Sequence, residues 1–191
     1  MKSPYNFIIS PYGDKYSNTK IINGEEFIIN TSLEIAKYVN RMGIVEALPI
    51  NYDGDICVGD IVVIHHNIFR VYHDMKGRQT NSPEFFRDGI FIVNPERIYM
   101  YKKNNDSSWI PHLNFCFVLP IETIQEEGEL FNTDKEEKHT GYLLYPSKKQ
   151  EEIGFKKGDL IAFTKNSEYA FDIDNDKLYR MYDRDVVLKL N

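Results

Sequence analysis

The sequence is short of cysteine, of tryptophan, of net positive charge and of long apolar runs. Two cysteines, Cys57 and Cys116, stand in 191 residues. That is too few for a disulfide framework, so a reducing compartment is expected, with both as small core residues. Lys and Arg total 23 against 29 Asp and Glu, a net charge of -6. This disfavours non-specific binding to nucleic acid or to an anionic membrane. No apolar run approaches the roughly eighteen residues of a membrane span. The opening residues lack the apolar core of a signal peptide, so the expected location is the cytoplasm. Phosphate-binding Gly-rich loops, nucleophile elbows and HExxH are absent. Neither cysteine has a CxxC partner, and His65-His66, as neighbours on a strand, should point to opposite faces. No metal, no cofactor and no catalysis are therefore expected.

What the chain does have is one stretch used twice. Cys57-Val58-Gly59-Asp60-Ile61-Val62-Val63-Ile64 is a Gly-Asp turn feeding a strand of strand-forming residues. Lys156-Lys157-Gly158-Asp159-Leu160-Ile161-Ala162-Phe163 repeats it. Glycine accepts positive φ, and aspartate can bond the nearby backbone. The flanks repeat too. Gly43-Ile44-Val45-Glu46-Ala47 precedes the first copy and Gly141-Tyr142-Leu143-Leu144-Tyr145 the second. Phe7-Ile8-Ile9-Ser10-Pro11 is echoed by Cys116-Phe117-Val118-Leu119-Pro120. The strand around Ile98 is echoed by the one around Val186. Four landmarks in one order imply a duplicated unit of about ninety residues.

The pattern is all-β, short strands set off by Gly and Pro, with one small barrel per unit. Residues 1–103 form the first unit, 104–111 a polar linker and 112–191 the second unit. Residues 66–89 are an insertion in the first copy, and its aromatics argue that it packs rather than dangles. Both units carry a long polar connection after the first strand. In the first, Phe27, Ile28 and Ile29 form an apolar triplet; Ile21 and Ile22 are a weaker candidate. In the second, Leu130-Phe131 is the apolar pair of an acidic loop. An apolar triplet in a polar loop suits docking into a groove on another protein; its alternative is a core strand.

The ordered set Gly-Ile-Val-Glu-Ala, Val58-Gly59-Asp60-Ile61-Val62 and Arg184-Asp185-Val186-Val187-Leu188 resembles the GroES-type co-chaperonins (chaperonin-10 family), over nearly the whole chain. The tandem layout resembles the GroES-like proteins that bacteriophages encode, and there the compartment would be the host cytoplasm. Ordinary members carry one unit per chain, and their Gly-Gly before the tripeptide is Glu25-Glu26 here. The resemblance implies two GroES-like barrels and a non-enzymatic lid that caps a nucleotide-bound chaperonin and assists folding. It makes Phe27, Ile28, Ile29, Leu130 and Phe131 the chaperonin-binding loop residues. It also implies a ring, closed by pairing Phe7, Ile8 and Ile9 of one unit with Val186, Val187 and Leu188 of another as edge strands. The alternative is a small-barrel structural or assembly protein, viral or otherwise, without a chaperonin partner.

Overall fold

The computed structural model describes residues 1–16, 19–22, 25–28, 38–103, 108–122, 136–174 and 176–190; for 19–22 and 25–28 it describes the backbone. The fold is all-β, with one short α-helix among the described residues. The chain divides into two compact units, Met1–Ser108 and Trp109–Asn191. Trp109, expected in the linker, is thus part of the second unit. It is buried, and its indole N–H donates to the Asp174 carboxylate at 2.7 Å. No helix among the described residues is long and apolar enough to cross a membrane.

The first unit holds β1 (Phe7–Pro11), β2 (Thr19–Ile22), β3 (Glu25–Ile28), β4 (Met42–Ala47), β5 (Ile61–Ile64), β6 (Val71–His73), β7 (Gln79–Asn81), β8 (Phe85–Arg87), β9 (Ile90–Val93) and β10 (Ile98–Lys102). The second holds β11 (Ile110–Pro111), β12 (Phe115–Glu122), β13 (Glu136–Tyr145), α1 (Lys148–Glu152), β14 (Leu160–Phe163), β15 (Tyr169–Ile173), β16 (Asp176–Tyr182) and β17 (Val186–Lys189). The main sheet of unit 1 runs β10-β5-β4-β1-β9-β8, and that of unit 2 runs β17-β14-β13-β12-β16-β15. Matched strand for strand these are one topology, antiparallel throughout. Each order is a line; no pairing joins its two ends among the described residues.

The likeness extends to register. Pro11 pairs with Gly43, and Pro120 with Gly141; both strands then slip by one residue, after Ile9 and after Val118. At these crossings the strands lie too close for a side chain. A Cβ on Gly43 would sit 2.4 Å from Ile9 Cγ2 and 3.0 Å from the Ser10 carbonyl oxygen. On Gly141 it would meet Val118 Cγ1 at 2.5 Å and the Leu119 carbonyl oxygen at 2.8 Å. Each unit builds its core behind this crossing. In unit 1 it includes Phe7, Ile9, Val45, Val62, Phe91 and Met100; in unit 2 it is Cys116, Val118, Leu143, Ile161, Phe163 and Met181.

Two expectations are corrected. Phe7, Ile8 and Ile9 are not an edge: β1 pairs with β4 on one side and β9 on the other, and all three are buried. The residues after the insertion supply β9, which takes the side of β1 that sequence left open. Cys57 is exposed, because it enters the turn and not the strand; Cys116 is buried as expected. The short helix α1 opens on a capping box formed by Ser147 and Gln150.

The insertion packs at its base and projects at its tip. Ile68 and Phe69 are buried, Phe69 meets Phe91 edge-on at 4.7 Å, and Ser82 donates to the Ile68 carbonyl at 2.5 Å. Strands β6 and β7 form a separate hairpin, with Met75 fully exposed at its end. Gly141→Ala should destabilise the protein by about 1–3 kcal/mol, and Gly43→Ala by less, because only at Gly141 does backbone block the new methyl below 3 Å. Urea melts of the two variants check the order.

Candidate functional site

The Gly-Asp turn is built identically in both units. Gly59 has φ +89° and Gly158 φ +91°, the left-handed region that glycine enters freely. Gly59 N–H donates to the Val45 carbonyl at 2.8 Å, and Gly158 N–H to that of Leu143 at 2.7 Å. The aspartate side chain then closes the turn: Asp60 accepts from Cys57 N–H and Asp159 from Lys156 N–H, each at 2.8 Å. A lysine from the closing strand reaches the same carboxylate, Lys103 on Asp60 at 2.8 Å and Lys189 on Asp159 at 2.5 Å. The two lysines are not equivalent in register. Tyr101 pairs with Val62 where Lys189 pairs with Ile161, so Lys103 lies one pleat further along. The same ion pair is made from two positions on one strand face.

The hydrogen bond to Asp60 raises the pKa of Lys103. Bonds from Lys189, then from Lys156 N–H, hold the Asp159 carboxyl below its usual value. These pairs lock the closing strand to the turn.

The candidate functional surface is the first loop, which leaves the sheet from a root at the other end of β4. Tyr12 N–H donates to the Met42 carbonyl at 3.0 Å and Asn40 N–H to that of Lys15 at 2.9 Å. Asn40 also clamps both strands of the root: its amide donates to the carbonyls of Tyr12 and Asp14, and its side-chain oxygen accepts from Met42 N–H, each at 2.8 Å. Tyr16 bridges to Val39, and its hydroxyl accepts from Val71 N–H at 2.7 Å. Burial raises the Tyr16 pKa, keeping it a neutral hydrogen-bonding group. The Lys15 ammonium lies over the Phe85 and Phe91 rings at 5.3 and 5.2 Å, so the insertion braces this root.

Beyond the root, β2 and β3 form a two-stranded ribbon that is no part of the main sheet. Thr19 pairs with Ile28, Lys20 with Phe27 and Ile22 with Glu25. Phe27 and Ile28 therefore lie on a ribbon strand; Ile29 lies outside the described residues. The ribbon had a sequence signal, Asn23-Gly24 between Ile22 and Glu25, the dipeptide favoured in two-residue hairpin turns.

In unit 2 the matching connection starts where Glu122 pairs with Glu136. Lys177 donates to Glu136 at 2.6 Å, and Tyr179 O–H also donates to it. Burial would raise the Glu136 pKa, but these two bonds outweigh it and the net shift is downward. Leu130 and Phe131 lie outside the described residues.

Other sequence candidates sit elsewhere. His65 and His66 stack on each other, ring centroids 4.3 Å apart, because β5 ends at Ile64 and strand alternation does not govern them. Burial, helped by His65, Arg41 and Arg70, pushes the His66 pKa down to about 4. The Cys57 sulfur lies 3.3 Å from Lys103 Nζ. Burial pushes the Cys116 thiol up to about 12, which leaves it unreactive. Among the described residues no three His, Cys, Asp or Glu are grouped to hold a metal ion. No protein-family model and no curated protein matches the chain.

The two ion pairs respond to opposite ends of the pH scale. Asp159 has a lowered folded pKa, so its pair stabilises above the ordinary carboxylate range and fades as pH falls through the folded value. Lys103 has a raised folded pKa, so its pair is fully present below the ordinary lysine value and is lost as pH rises through the folded one. Asp159→Asn should therefore melt below the parent at about pH 7 and converge with it toward about pH 3. Lys103→Met should differ at about pH 7 and converge above about pH 11. Thermal melts across pH check both limbs.

Proposed function

We propose that the chain is a non-enzymatic, GroES-like lid that caps a chaperonin ring in its nucleotide-bound state and assists protein folding. The observation that carries this reading is the arrangement of unit 1. A long connection between the first strand and the Gly-Ile-Val strand is clamped at its root by Asn40 and Tyr16, and carries a separate ribbon holding Phe27 and Ile28. The repeat of one sheet topology, with a long connection at the same place, supports two such units per chain. A clamped root with an apolar-bearing extension suits reversible docking, because the extension can order in a groove without disturbing the core.

In this reading the protein also self-associates as a ring, as such lids do. Closure through Phe7, Ile8 and Ile9 is not available, since β1 already has two partners; the contacts come from other surfaces. The setting is cytoplasmic, the host's if the chain comes from a phage.

The second reading, a structural or assembly protein with no chaperonin partner, draws support from the exposed apolar strand β17. Capture on a GroES-responsive chaperonin with and without ATP separates the two. Ile28→Ser should weaken each contact by about tenfold or more, because burying one such side chain contributes roughly 1.5–3 kcal/mol. Multivalent binding compounds that loss, so capping should nearly vanish while melting stays unchanged. Leu130→Ser in the shorter, acidic loop should do less. Unfolding of Ile28→Ser would make Ile28 a core residue, and normal melting with undiminished capture would remove the loop from the mechanism.

A further inference from the structure

We infer that Cys57 and Lys103 form an oxidant-driven modification site, in which hydrogen peroxide joins Sγ to Nζ as a sulfenamide. The first ground is contact between two nucleophiles. The Cys57 sulfur lies 3.3 Å from Lys103 Nζ, and Cys57 is exposed, so a small oxidant reaches it. Both residues are tied to one carboxylate: Asp60 accepts from Cys57 N–H and from Lys103 Nζ, each at 2.8 Å. Both also meet the Asp55 carbonyl, the thiol at 3.7 Å and the ammonium through a hydrogen bond. The Tyr101 ring, its centroid 5.4 Å from Nζ, lies under the lysine. Two reacting groups held in one geometry have the high effective concentration that bond formation needs. The second ground is the difference between the copies. Unit 2 builds the same turn with Lys156 in the place of Cys57. The aspartate needs only a lysine, and both units supply one. The sulfur contact is what unit 1 adds.

The chemistry runs in two steps. The thiol first takes one peroxide oxygen: an S–O bond forms, the O–O bond breaks and water leaves, giving a sulfenic acid. Sulfenic acids condense with nitrogen. Lys103 begins as an ammonium, since the hydrogen bond to Asp60, and a lesser one to Cys57, raise its pKa. Its proton must leave before nitrogen can attack, and the Asp60 carboxylate at 2.8 Å is the acceptor that passes it to water. The nitrogen lone pair then attacks sulfur, the N–S bond forms, and the S–O bond breaks with loss of a second water. One thiol, one amine and one hydrogen peroxide thus give one sulfenamide and two waters. The sulfur is oxidised and the peroxide reduced. A free thiol attacks the sulfur and releases the amine, so the link reverses under reducing conditions. It joins covalently the turn and the closing strand that the ion pair already holds.

The inference does not rest on the capping reading, and its test uses no chaperonin. The full chain treated with hydrogen peroxide at about pH 9, where more of the lysine is neutral, should become about 2 Da lighter. Peptides carrying Cys57 and Lys103 should then run as one linked species, which excess dithiothreitol separates. Cys116, buried and with its thiol pushed up to about 12, should stay unmodified. Lys103→Arg keeps a cation beside Asp60 but has no attacking amine. Its Cys57 should stop at the sulfenic acid and take up about tenfold more dimedone than the parent. Cys57→Ser should show neither the mass loss nor the label. A parent whose Cys57 stays a thiol, gains oxygen without linking, or joins a second chain overturns the inference. So does a Lys103→Arg variant that still becomes about 2 Da lighter.

Discussion

Each unit depends on a buried aspartate that follows a left-handed glycine. Asp60 and Asp159 accept a backbone N–H from three residues upstream, which closes the turn, and a lysine ammonium from the closing strand. A buried carboxylate is costly unless its oxygens are satisfied. Here the two partners come from parts of the chain far apart in sequence, so satisfying the carboxylate forces the turn and the closing strand together. Glycine at φ near +90° lets its own N–H reach the neighbouring strand at the same point. Turn, β4 or β13, and β10 or β17 are thereby held as one block in each unit.

The block sets what the rest of the sheet can do. β4 and β13 each cross their first strand at a glycine with no room for a methyl, which brings the two strands close and starts the long connection from a rigid point. In unit 1, Asn40 saturates that point with three bonds, and Lys15 rests on Phe85 of the insertion and Phe91 of β9. In unit 2, the Glu136 carboxylate, held by Lys177 and Tyr179, does the same work by charge. The two copies keep one scaffold and differ in how they hold the connection.

They differ again at their edges. In unit 1 the strand that sequence offered as an edge is paired on both sides and buried. In unit 2 the closing strand keeps an aliphatic, exposed edge. Bare edges invite pairing.

The sequence alone carried the all-β class, the duplication, the Gly-Asp turns, β1, β4, β5, β9 and β10, the counterparts β12, β13, β14 and β17, and the packed base of the insertion. These were legible because turn chemistry and β-branched runs are local, and a repeat doubles every local signal. It also offered, in Ser147 with Gln150 and in Asn23-Gly24, the signs of α1 and of the ribbon, which are short enough to pass unread. Only the tertiary structure decided which strands are edges. Pairing is settled by segments far apart in sequence, and β9 covers β1 from more than eighty residues away. Only it showed that Cys57 is exposed, that His65 and His66 stack, and that two lysines from different register positions meet equivalent aspartates. Those outcomes depend on where a strand stops and how far a side chain reaches, and a strand's alternation pattern carries neither.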